Sequence, residues 1–369
     1  MRRAAWIGAV AILFTGGAAD AQEKKPEIVA KLAGHLGGVS ALTFNPKVPV
    51  IATGSGNGVV RIWEAKTGEL LTRMDAQKPT GSRVGQLGFS ADGTLLSASS
   101  RNAVVVWDIV PPKKDMPETP PGKEPMKEPF QVRPTPVVFE DGMGTDPAKI
   151  GTVTGDGKRA YFSTGEGVRT TINSRAFAPR LGADTNDELK GVFAPWAVGA
   201  VSNAESALVA MYGSVKAADK TEQPAVAFVG LGDAKIVGRG AVRAAVVGRP
   251  VSIGFAPDGK WLVACNGEDI MYWRVPGSQV VEGDPKLLLN SSAYAAAAGP
   301  NGLIAFASVP EDGKKVKVTI SDVSGAQPKV IASYPSGMDR VSTLTFSPDG
   351  TMLAVGNDTE GIVELWKLK

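Results

Sequence analysis

One stretch near the end of the chain decides the fold: residues 341–366 read VSTLTF-SPDG-TMLAV-GNDTEG-IVELW. In residues 341–346, large apolar side chains alternate with smaller or polar ones, which is typical of a half-buried strand. The Ser-Pro-Asp-Gly that follows favours a tight turn. Two further apolar segments come next, separated by a polar loop. The stretch therefore predicts three consecutive antiparallel strands.

The same pattern recurs along the chain. Clear copies occupy residues 39–63, 84–107 and 251–273, and each of them ends in tryptophan. Weaker copies surround three further turns. Counted by their turns, the seven copies lie at Pro46, Asp92, Asp156, Asn203, Asp258, Asn301 and Asp349. Their spacing is mostly close to the period of about 40–45 residues, with four strands per unit, that marks a β-propeller. The sequence thus predicts an all-β, seven-bladed propeller of four-stranded antiparallel blades, forming one domain over residues 27–369.

The longest step between turns contains an insert at residues 111–136. This segment is dense in proline, lysine and glutamate and has few large apolar side chains. Such a composition cannot bury enough surface to fold, so we expect an extended loop. It leaves blade 2 after the third strand, and residues 137–139 are predicted to return as the fourth. Whether the insert is a docking segment or a spacer stays open.

The two ends of the repeat pattern complement each other. The last copy stops after its third strand, whereas the strand-like segment Glu27–Leu32 precedes the first copy. An unpaired edge exposes a row of backbone donors and acceptors and invites aggregation. We therefore expect the N-terminal strand to pair with the last blade and close the ring.

The N-terminal residues predict export. Arg2 and Arg3 precede a mostly apolar run at residues 4–14, and Ala19-Asp20-Ala21 offers small residues at the two positions that a signal peptidase reads. This pattern predicts a signal peptide at residues 1–21 and a periplasmic or extracellular location. An uncleaved anchor would need about 20 apolar residues, but this run is broken at residues 15–17.

Composition limits the chemistry that the chain can offer. The 40 basic and 37 acidic residues nearly balance, and no basic stripe is present, which argues against a nucleic-acid partner. The single cysteine, Cys265, excludes an intramolecular disulfide, and the single histidine, His35, removes most histidine-based schemes. Recognisable nucleophile, zinc, haem and phosphate motifs are missing, and the acidic residues 184–188 lack the glycine and distal glutamate of a calcium loop. We predict no catalytic residue, no metal and no cofactor.

Residues 33–64 resemble a repeat of the WD40 family. They carry Gly34-His35, then Gly54-Ser55, then Trp63-Glu64 where the family prefers Trp-Asp. An intact Trp-Asp pair stands at residues 107–108, and the tryptophan alone is kept at residues 273 and 366. The resemblance extends over nearly the whole chain after the signal peptide, but it is specific only in repeats 1, 2, 5 and 7.

In this family a buried hydrogen-bonded tetrad links tryptophan, serine or threonine, histidine and aspartate within a blade. The resemblance implies a tetrad only in blade 1, from His35, Thr53, Asn57 and Trp63. Asn57 stands where the family has aspartate, so it would accept from the imidazole N–H without bringing a charge. We therefore expect His35 to be structural.

The resemblance also implies a binding face. Arg83, Arg249 and Arg340 each lie one or two residues before the innermost strand of their blade, on the rim where WD40 proteins commonly bind partners. Guanidinium groups there favour an acidic peptide or a carboxylate, and Trp196 occupies a nearby position in blade 4. The alternative is that these arginines are solvated loop residues without a function.

The function implied by the resemblance is that of a non-enzymatic scaffold, which binds a protein or peptide through loops on one face. We expect this scaffold to be exported and monomeric. Two alternatives stay open. One is an exported propeller enzyme, lactonase-like or another metal-dependent hydrolase. The other is a small-ligand or glycan binder that uses Trp196 or Trp261 as a stacking platform.

Overall fold

The computed structural model of the chain describes residues 26–76, 83–100, 103–110, 131–132, 137–140, 150–153, 159–164, 167–172, 180–181, 198–201, 208–216, 222–230, 236–241, 251–275, 286–290, 292–309 and 316–368. The predicted signal peptide and residues 111–130 of the predicted insert lie outside these ranges. Nearly all of the regular structure described is β-strand, apart from a short 3-10 turn at Pro300–Gly302. Over the same residues there is no helix with the length and apolar character that crossing a bilayer requires.

The described strands form seven antiparallel sheets. The first strand of the chain, β1 (Glu27–Leu32), belongs to the last of them. The first sheet contains, in order, β2 (Val39–Phe44), β3 (Val50–Ser55), β4 (Val59–Glu64) and β5 (Leu70–Asp75). The second contains β6 (Gln86–Phe89), β7 (Leu95–Ser100), β8 (Ala103–Val110), the short β9 (Gln131–Val132) and β10 (Val137–Glu140).

The remaining sheets follow the same order. The third contains β11 (Ile150–Val153), β12 (Arg159–Thr164), β13 (Gly167–Ile172) and β14 (Arg180–Leu181). The fourth contains β15 (Val198–Val201), β16 (Leu208–Lys216), β17 (Glu222–Gly230) and β18 (Ile236–Ala241). The fifth contains β19 (Ser252–Phe255), β20 (Trp261–Cys265), β21 (Asp269–Arg274) and β22 (Lys286–Asn290). The sixth contains β23 (Ala293–Ala298), β24 (Leu303–Ser308), β25 (Lys317–Asp322) and β26 (Lys329–Pro335). The seventh contains β27 (Thr343–Phe346), β28 (Met352–Gly356), β29 (Val363–Lys367) and β1.

The segment returning from the insert completes the second sheet. Val137 lies opposite Val106, so β10 is the outer neighbour of β8. Further along β8, Val110 lies opposite Gln131 of β9. Val110 and Gln131, the described residues on either side of residues 111–130, are therefore paired in one sheet, and the described sheets that follow keep the strand order of the repeat.

The first strands of the sheets are neighbours of one another. Strand β2 contacts β6, and the contacts continue through β11, β15, β19 and β23 to β27, which in turn contacts β2. Between adjacent sheets, apolar side chains form the core: Ile62 of the first sheet packs in one cluster with Leu96 and Trp107 of the second. Full burial of such a side chain contributes about 1.5–3 kcal/mol.

Hydroxyl and thiol groups also join neighbouring sheets. Ser40 Oγ donates to the carbonyl of Val84 at 2.7 Å, and Ser342 Oγ donates to the carbonyl of Val39 at 3.0 Å. Between the fifth and sixth sheets, the Cys265 thiol donates to the carbonyl of Ala293 at 2.9 Å. Each of these bonds ties the start of one inner strand to the adjacent sheet.

An aspartate side chain stabilises the recurring turn by accepting hydrogen bonds within it. Asp349 Oδ1 accepts from the Ser347 hydroxyl at 2.5 Å and from the Thr351 backbone N–H at 3.0 Å. Burial opposes ionisation of this carboxyl, but these hydrogen bonds hold its pKa below the ordinary value. Asp92 makes the same pair of contacts with Ser90 and Thr94. The side chain thus replaces backbone partners that a two-stranded hairpin leaves unpaired at its turn.

Candidate functional site

The first strands of five sheets line a cavity of about 490 Å³. The strands are β2, β6, β19, β23 and β27. Small and polar side chains contribute much of the wall, among them Ser40, Gln86 and Thr343. Such a wall offers hydrogen-bonding groups to a guest but no ionised group along the strands themselves.

Charged and larger side chains gather at one end of this cavity. Arg83, Val251, Tyr294, Arg340 and Asp358 all line it, and four of them stand at or just before the start of an inner strand. Because the inner strands start at the same end of their sheets, these residues surround one opening. We call this group of five residues the mouth.

Arg340 is already engaged at the mouth. Its Nε lies 3.5 Å from Asp358 Oδ1, and the two side chains are 62% and 20% exposed. Burial raises the pKa of the neighbouring Tyr294 phenol, and the positive charge of Arg340 opposes that rise. Arg340 therefore sits between a carboxylate and a phenol, and the ion pair restricts its reach.

Arg83 is exposed and lines the same cavity. Among the described residues, no carboxylate forms an ion pair with it. Exposed Asp339 and Glu360 lie in the loops that carry the mouth, so this end of the cavity has charges of both signs. The structure thus brings together Arg83 and Arg340 of the four proposed rim residues. Arg249 and Trp196 lie outside the described residues.

A glycine-rich loop, residues 34–38, approaches the mouth before β2. Its histidine is 5% exposed and points inward. His35 Nε2 lies 2.5 Å from Thr53 Oγ1, and the Trp63 indole N–H donates to the same oxygen at 2.8 Å. The structure therefore joins three members of the proposed tetrad through one hydroxyl.

The other nitrogen of the histidine ring faces an arginine. Arg61 Nη1 lies 2.5 Å from His35 Nδ1, and Arg61 Nη2 donates to the carbonyl of Gly34 at 2.8 Å. A guanidinium can only donate, so Nδ1 accepts and Nε2 carries the proton that it donates to Thr53. Burial, and next the charge of Arg61, lower the pKa of His35 to about 3. The imidazole is therefore neutral, and both of its nitrogens are occupied.

The expectation for Asn57 is corrected by this arrangement. Asn57 Oδ1 accepts from the hydroxyl of Ser55 at 2.5 Å within the turn that follows β3, while Arg61 takes the place beside His35. The short amide side chain folds back into its own turn, which leaves it engaged locally. Arg61 and Trp63 stand two apart on β4 and so share one face of the sheet. This alternation along β4 is the feature of the sequence from which the place of Arg61 beside Trp63 could have been predicted.

In the last sheet, a buried acidic residue stands at the position that Arg61 has in the first sheet. Glu364 stands two residues before Trp366, as Arg61 does before Trp63, and it is 4% exposed. Its Oε2 accepts from the Trp366 indole at 3.0 Å, and its Oε1 lies 2.9 Å from Lys31 Nζ of β1. Sequence reasoning did not identify Glu364 or Lys31.

The structure gives limited support to two alternatives, a stacking platform at Trp261 and a metal-dependent hydrolase. Trp261 is 8% exposed and packs beside Tyr272, with ring centroids 6.4 Å apart, so it offers no free face for stacking. Within the part of the chain that the structure describes, no group of three histidine, cysteine or acidic residues is placed to hold a metal ion.

Comparison with known proteins identifies the repeat. A WD40 family model, described as "WD domain, G-beta repeat", matches residues 26–64 and 329–367. Over 79 residues the chain is 32% identical to "Small ribosomal subunit protein RACK1y" of Oryza sativa subsp. japonica. Over 82 residues it is 38% identical to "Eukaryotic translation initiation factor 3 subunit I" of Neurospora crassa. Each match covers 21% of this chain and 22% of the relative.

The two matched segments are WD40 repeats. They contain β1 to β4 at one end of the chain and β26 to β29 at the other, which are the strands around His35 and Glu364. The family resemblance that the sequence indicates is therefore confirmed at these two locations. The chain is therefore an all-β protein that contains two WD40 repeats, and its antiparallel sheets, mostly of four strands, are consistent with a WD40 propeller. WD40 repeats are typical of protein-interaction scaffolds.

Proposed function

We propose that the chain is an exported, closed seven-bladed propeller that acts as a non-enzymatic, monomeric scaffold and binds a protein or peptide at the mouth. The observation that carries the proposal is the convergence of Arg83 and Arg340 on one cavity. They come from the second and the seventh sheet, far apart in the sequence. A rigid repeat fold that collects loops from several sheets at one opening is suited to binding a partner.

Two sets of contacts support the closed seven-bladed arrangement. Each inner strand touches the next, and β27 touches β2. Strand β1 supplies the fourth strand of the last sheet, with Glu27 opposite Lys367 and Leu32 opposite Val363. Such a ring leaves only short outer edges, which limits pairing with other copies of the chain. Light scattering coupled to gel filtration tests the monomer: a stable dimer would overturn it.

The state of the only histidine supports a non-enzymatic role. His35 is buried and neutral, and its two ring nitrogens face Thr53 and Arg61. Neither nitrogen is available to bind a metal ion or to move a substrate proton. Elemental analysis of the purified protein tests this part of the proposal. A stoichiometric tightly bound calcium or zinc ion would favour the hydrolase alternative instead.

Export is supported by the pattern at residues 1–21. The test is N-terminal sequencing of the protein recovered from its native compartment, where we expect a chain that starts at Gln22. A chain recovered from the cytoplasm with its first residues intact would overturn export.

Removal of the positive charges at the mouth, with reversal at one of the two arginines, tests the binding face. We expect Arg83→Glu combined with Arg340→Gln to abolish most partner recovery in co-purification from the native compartment. The matched control combines Arg274→Glu with Lys329→Gln, because these exposed residues lie at the end of β21 and the start of β26. The control carries the same change in charge and should recover the partners of the unmodified chain. An unchanged set of partners with the mouth variant would refute the assignment of the face.

A further inference from the structure

We infer that Leu36 is the apolar anchor of the binding face, and that the partner is a peptide segment that places an aliphatic or aromatic side chain beside a carboxylate. The inference rests on the proposed function and adds the chemistry of the partner. Its apolar contact, Leu36, belongs neither to the proposed tetrad nor to the mouth.

Leu36 is the most exposed large apolar side chain in the described part of the molecule. It is 74% exposed, whereas the next, Ile331, is 50% exposed. A single exposed leucine on a surface needs no special explanation. What sets Leu36 apart is the loop that carries it.

The loop at residues 34–38 is fixed on both sides of Leu36. Before it, Arg61 holds the carbonyl of Gly34, and His35 is held through both ring nitrogens. After it, the carbonyl of Gly38 accepts from the Gly56 N–H at 3.1 Å. The backbone thus presents Leu36 to solvent in one arrangement.

Close packing makes the loop tighter still. Gly38 has a φ of +75°, and a Cβ there would lie 1.7 Å from the carbonyl oxygen of Asp358. Only glycine fits this approach. Because the loop is already ordered, a partner that covers Leu36 does not have to order it, and preorganisation of this kind raises affinity.

The loop that carries Leu36 contacts the segments next to both arginines of the mouth. On one side, the carbonyl of Gly37 packs against Gly56, and the Val84 N–H donates to the carbonyl of Ser55 at 3.1 Å. The turn after β3 therefore links the loop of Leu36 to Val84, the residue next to Arg83. On the other side, Gly38 touches Asp358, the partner of Arg340.

This pattern selects the chemistry of the partner. An apolar side chain that covers Leu36 removes its surface from water, which is favourable in proportion to the area buried. Arg83 has an exposed guanidinium with donors arranged for bidentate pairing with a carboxylate. Arg340 is already paired with Asp358, so one acidic group beside the apolar residue satisfies the site. An apolar core flanked by a polar rim is the usual composition of a binding hot spot.

A random linear-peptide library displayed on phage tests the inference directly with the full chain. We expect selected peptides to share an aliphatic or aromatic residue adjacent to aspartate or glutamate. The affinity of a selected peptide, measured by fluorescence polarisation, should fall about tenfold or more with Leu36→Ser. The control is Val330→Ser, which removes an aliphatic side chain that is 47% exposed on β26. It should bind the peptide as the unmodified chain does.

The outcomes separate the two proposals. Peptides that lack the apolar–acidic pair, or that bind Leu36→Ser with unchanged affinity, would overturn the role of Leu36. If Arg83→Glu still weakened those peptides, the mouth would remain the binding face. Failure of the library to yield any peptide that binds the mouth would count against the inference. If both Leu36→Ser and Arg83→Glu bound the selected peptides with unchanged affinity, the result would also count against the mouth as the binding face.

Discussion

Lys31 and Glu364 lie at paired positions of β1 and β29, with Nζ and Oε1 2.9 Å apart. The other oxygen of the acid accepts from the Trp366 indole. One carboxylate, 4% exposed, therefore joins the aromatic core of the last sheet to the strand that completes it. A buried ion of this kind is tolerated only while its partners stay in place.

Substitutions of Glu364 should separate its two roles. Glu364→Ala leaves the buried Trp366 N–H without its acceptor, and we expect a loss of about 1–3 kcal/mol in the free energy of unfolding. Glu364→Gln keeps an acceptor but loses the charge, so its loss should be smaller. Urea unfolding measures both. Lys367→Met serves as the control, because it removes an exposed pair with Glu27 and should cost well under about 1 kcal/mol. Equal losses for Ala and Gln would show that the indole does not depend on the acid.

Acid should destabilise the protein through His35. The folded state holds the pKa of this group at about 3, below its unfolded value of about 6.5. As the pH falls below 6.5, the unfolded chain therefore binds a proton that the folded chain refuses. Stability should fall by at most about 1.4 kcal/mol per pH unit through this group, until the folded state also protonates near pH 3.

The comparison variant for this effect is His35→Gln, which cannot titrate. Because the chain has one histidine, the difference between the two proteins isolates its contribution. Between pH 6.5 and pH 5, urea unfolding should show a loss in the unmodified chain that exceeds the loss in His35→Gln by up to about 2 kcal/mol. Parallel pH profiles would contradict the burial of a neutral imidazole.

The fifth sheet offers a gain of stability. Trp273 Nε1 is buried and has no hydrogen-bond partner among the described residues. Ala264 occupies the register position that Thr53 holds in the first sheet, where the hydroxyl accepts from Trp63. We expect Ala264→Ser to supply the missing acceptor and to raise the free energy of unfolding by about 0.5–1.5 kcal/mol. Ala52→Ser, which also adds a hydroxyl at a buried alanine, should lower it. A loss of stability with both variants would refute this equivalence of the two sheets.

Cys265 should be inert in the folded protein. Its side chain is fully buried, and burial raises the pKa of the thiol to about 11. The thiolate is the reactive form, so we expect no labelling by a thiol reagent at pH 8 until urea unfolds the chain. Rapid stoichiometric labelling of the native protein would show that the fifth and sixth sheets separate readily.

Strand positions were predictable from local pattern. Glu27–Leu32 was expected to be a strand, and the structure has a strand with those bounds. The repeat at residues 39–63 was expected to begin with a strand, and the structure has one at Val39–Phe44. The return of the chain at residues 137–139 followed from counting strands per repeat. These features depend on period-two alternation and turn chemistry, which a short window of sequence contains.

The polar contacts in the core were not predictable in the same way. Arg61 and Glu364 are charged, and a charged residue in a strand is ordinarily expected on the exposed face. Their burial depends on partners that are distant in sequence, His35 for one and Lys31 for the other. Asn57 was assigned by its position in a family pattern, but its amide is short enough to bond within its own turn. The roles of Arg249 and Trp196 stay predictions.

Pairing of β1 with β29 has a consequence for the way the chain is made. Glu27 and Lys367 are 340 positions apart, yet they touch. During synthesis, β1 has no partner until almost every later strand has emerged, and contacts between such distant segments are the slowest to form. An early, unpartnered strand is also the part of a nascent chain most prone to pair wrongly. We therefore expect dependence on chaperones to concentrate on β1, and we expect the capture of this strand by β29 to be a late event of folding.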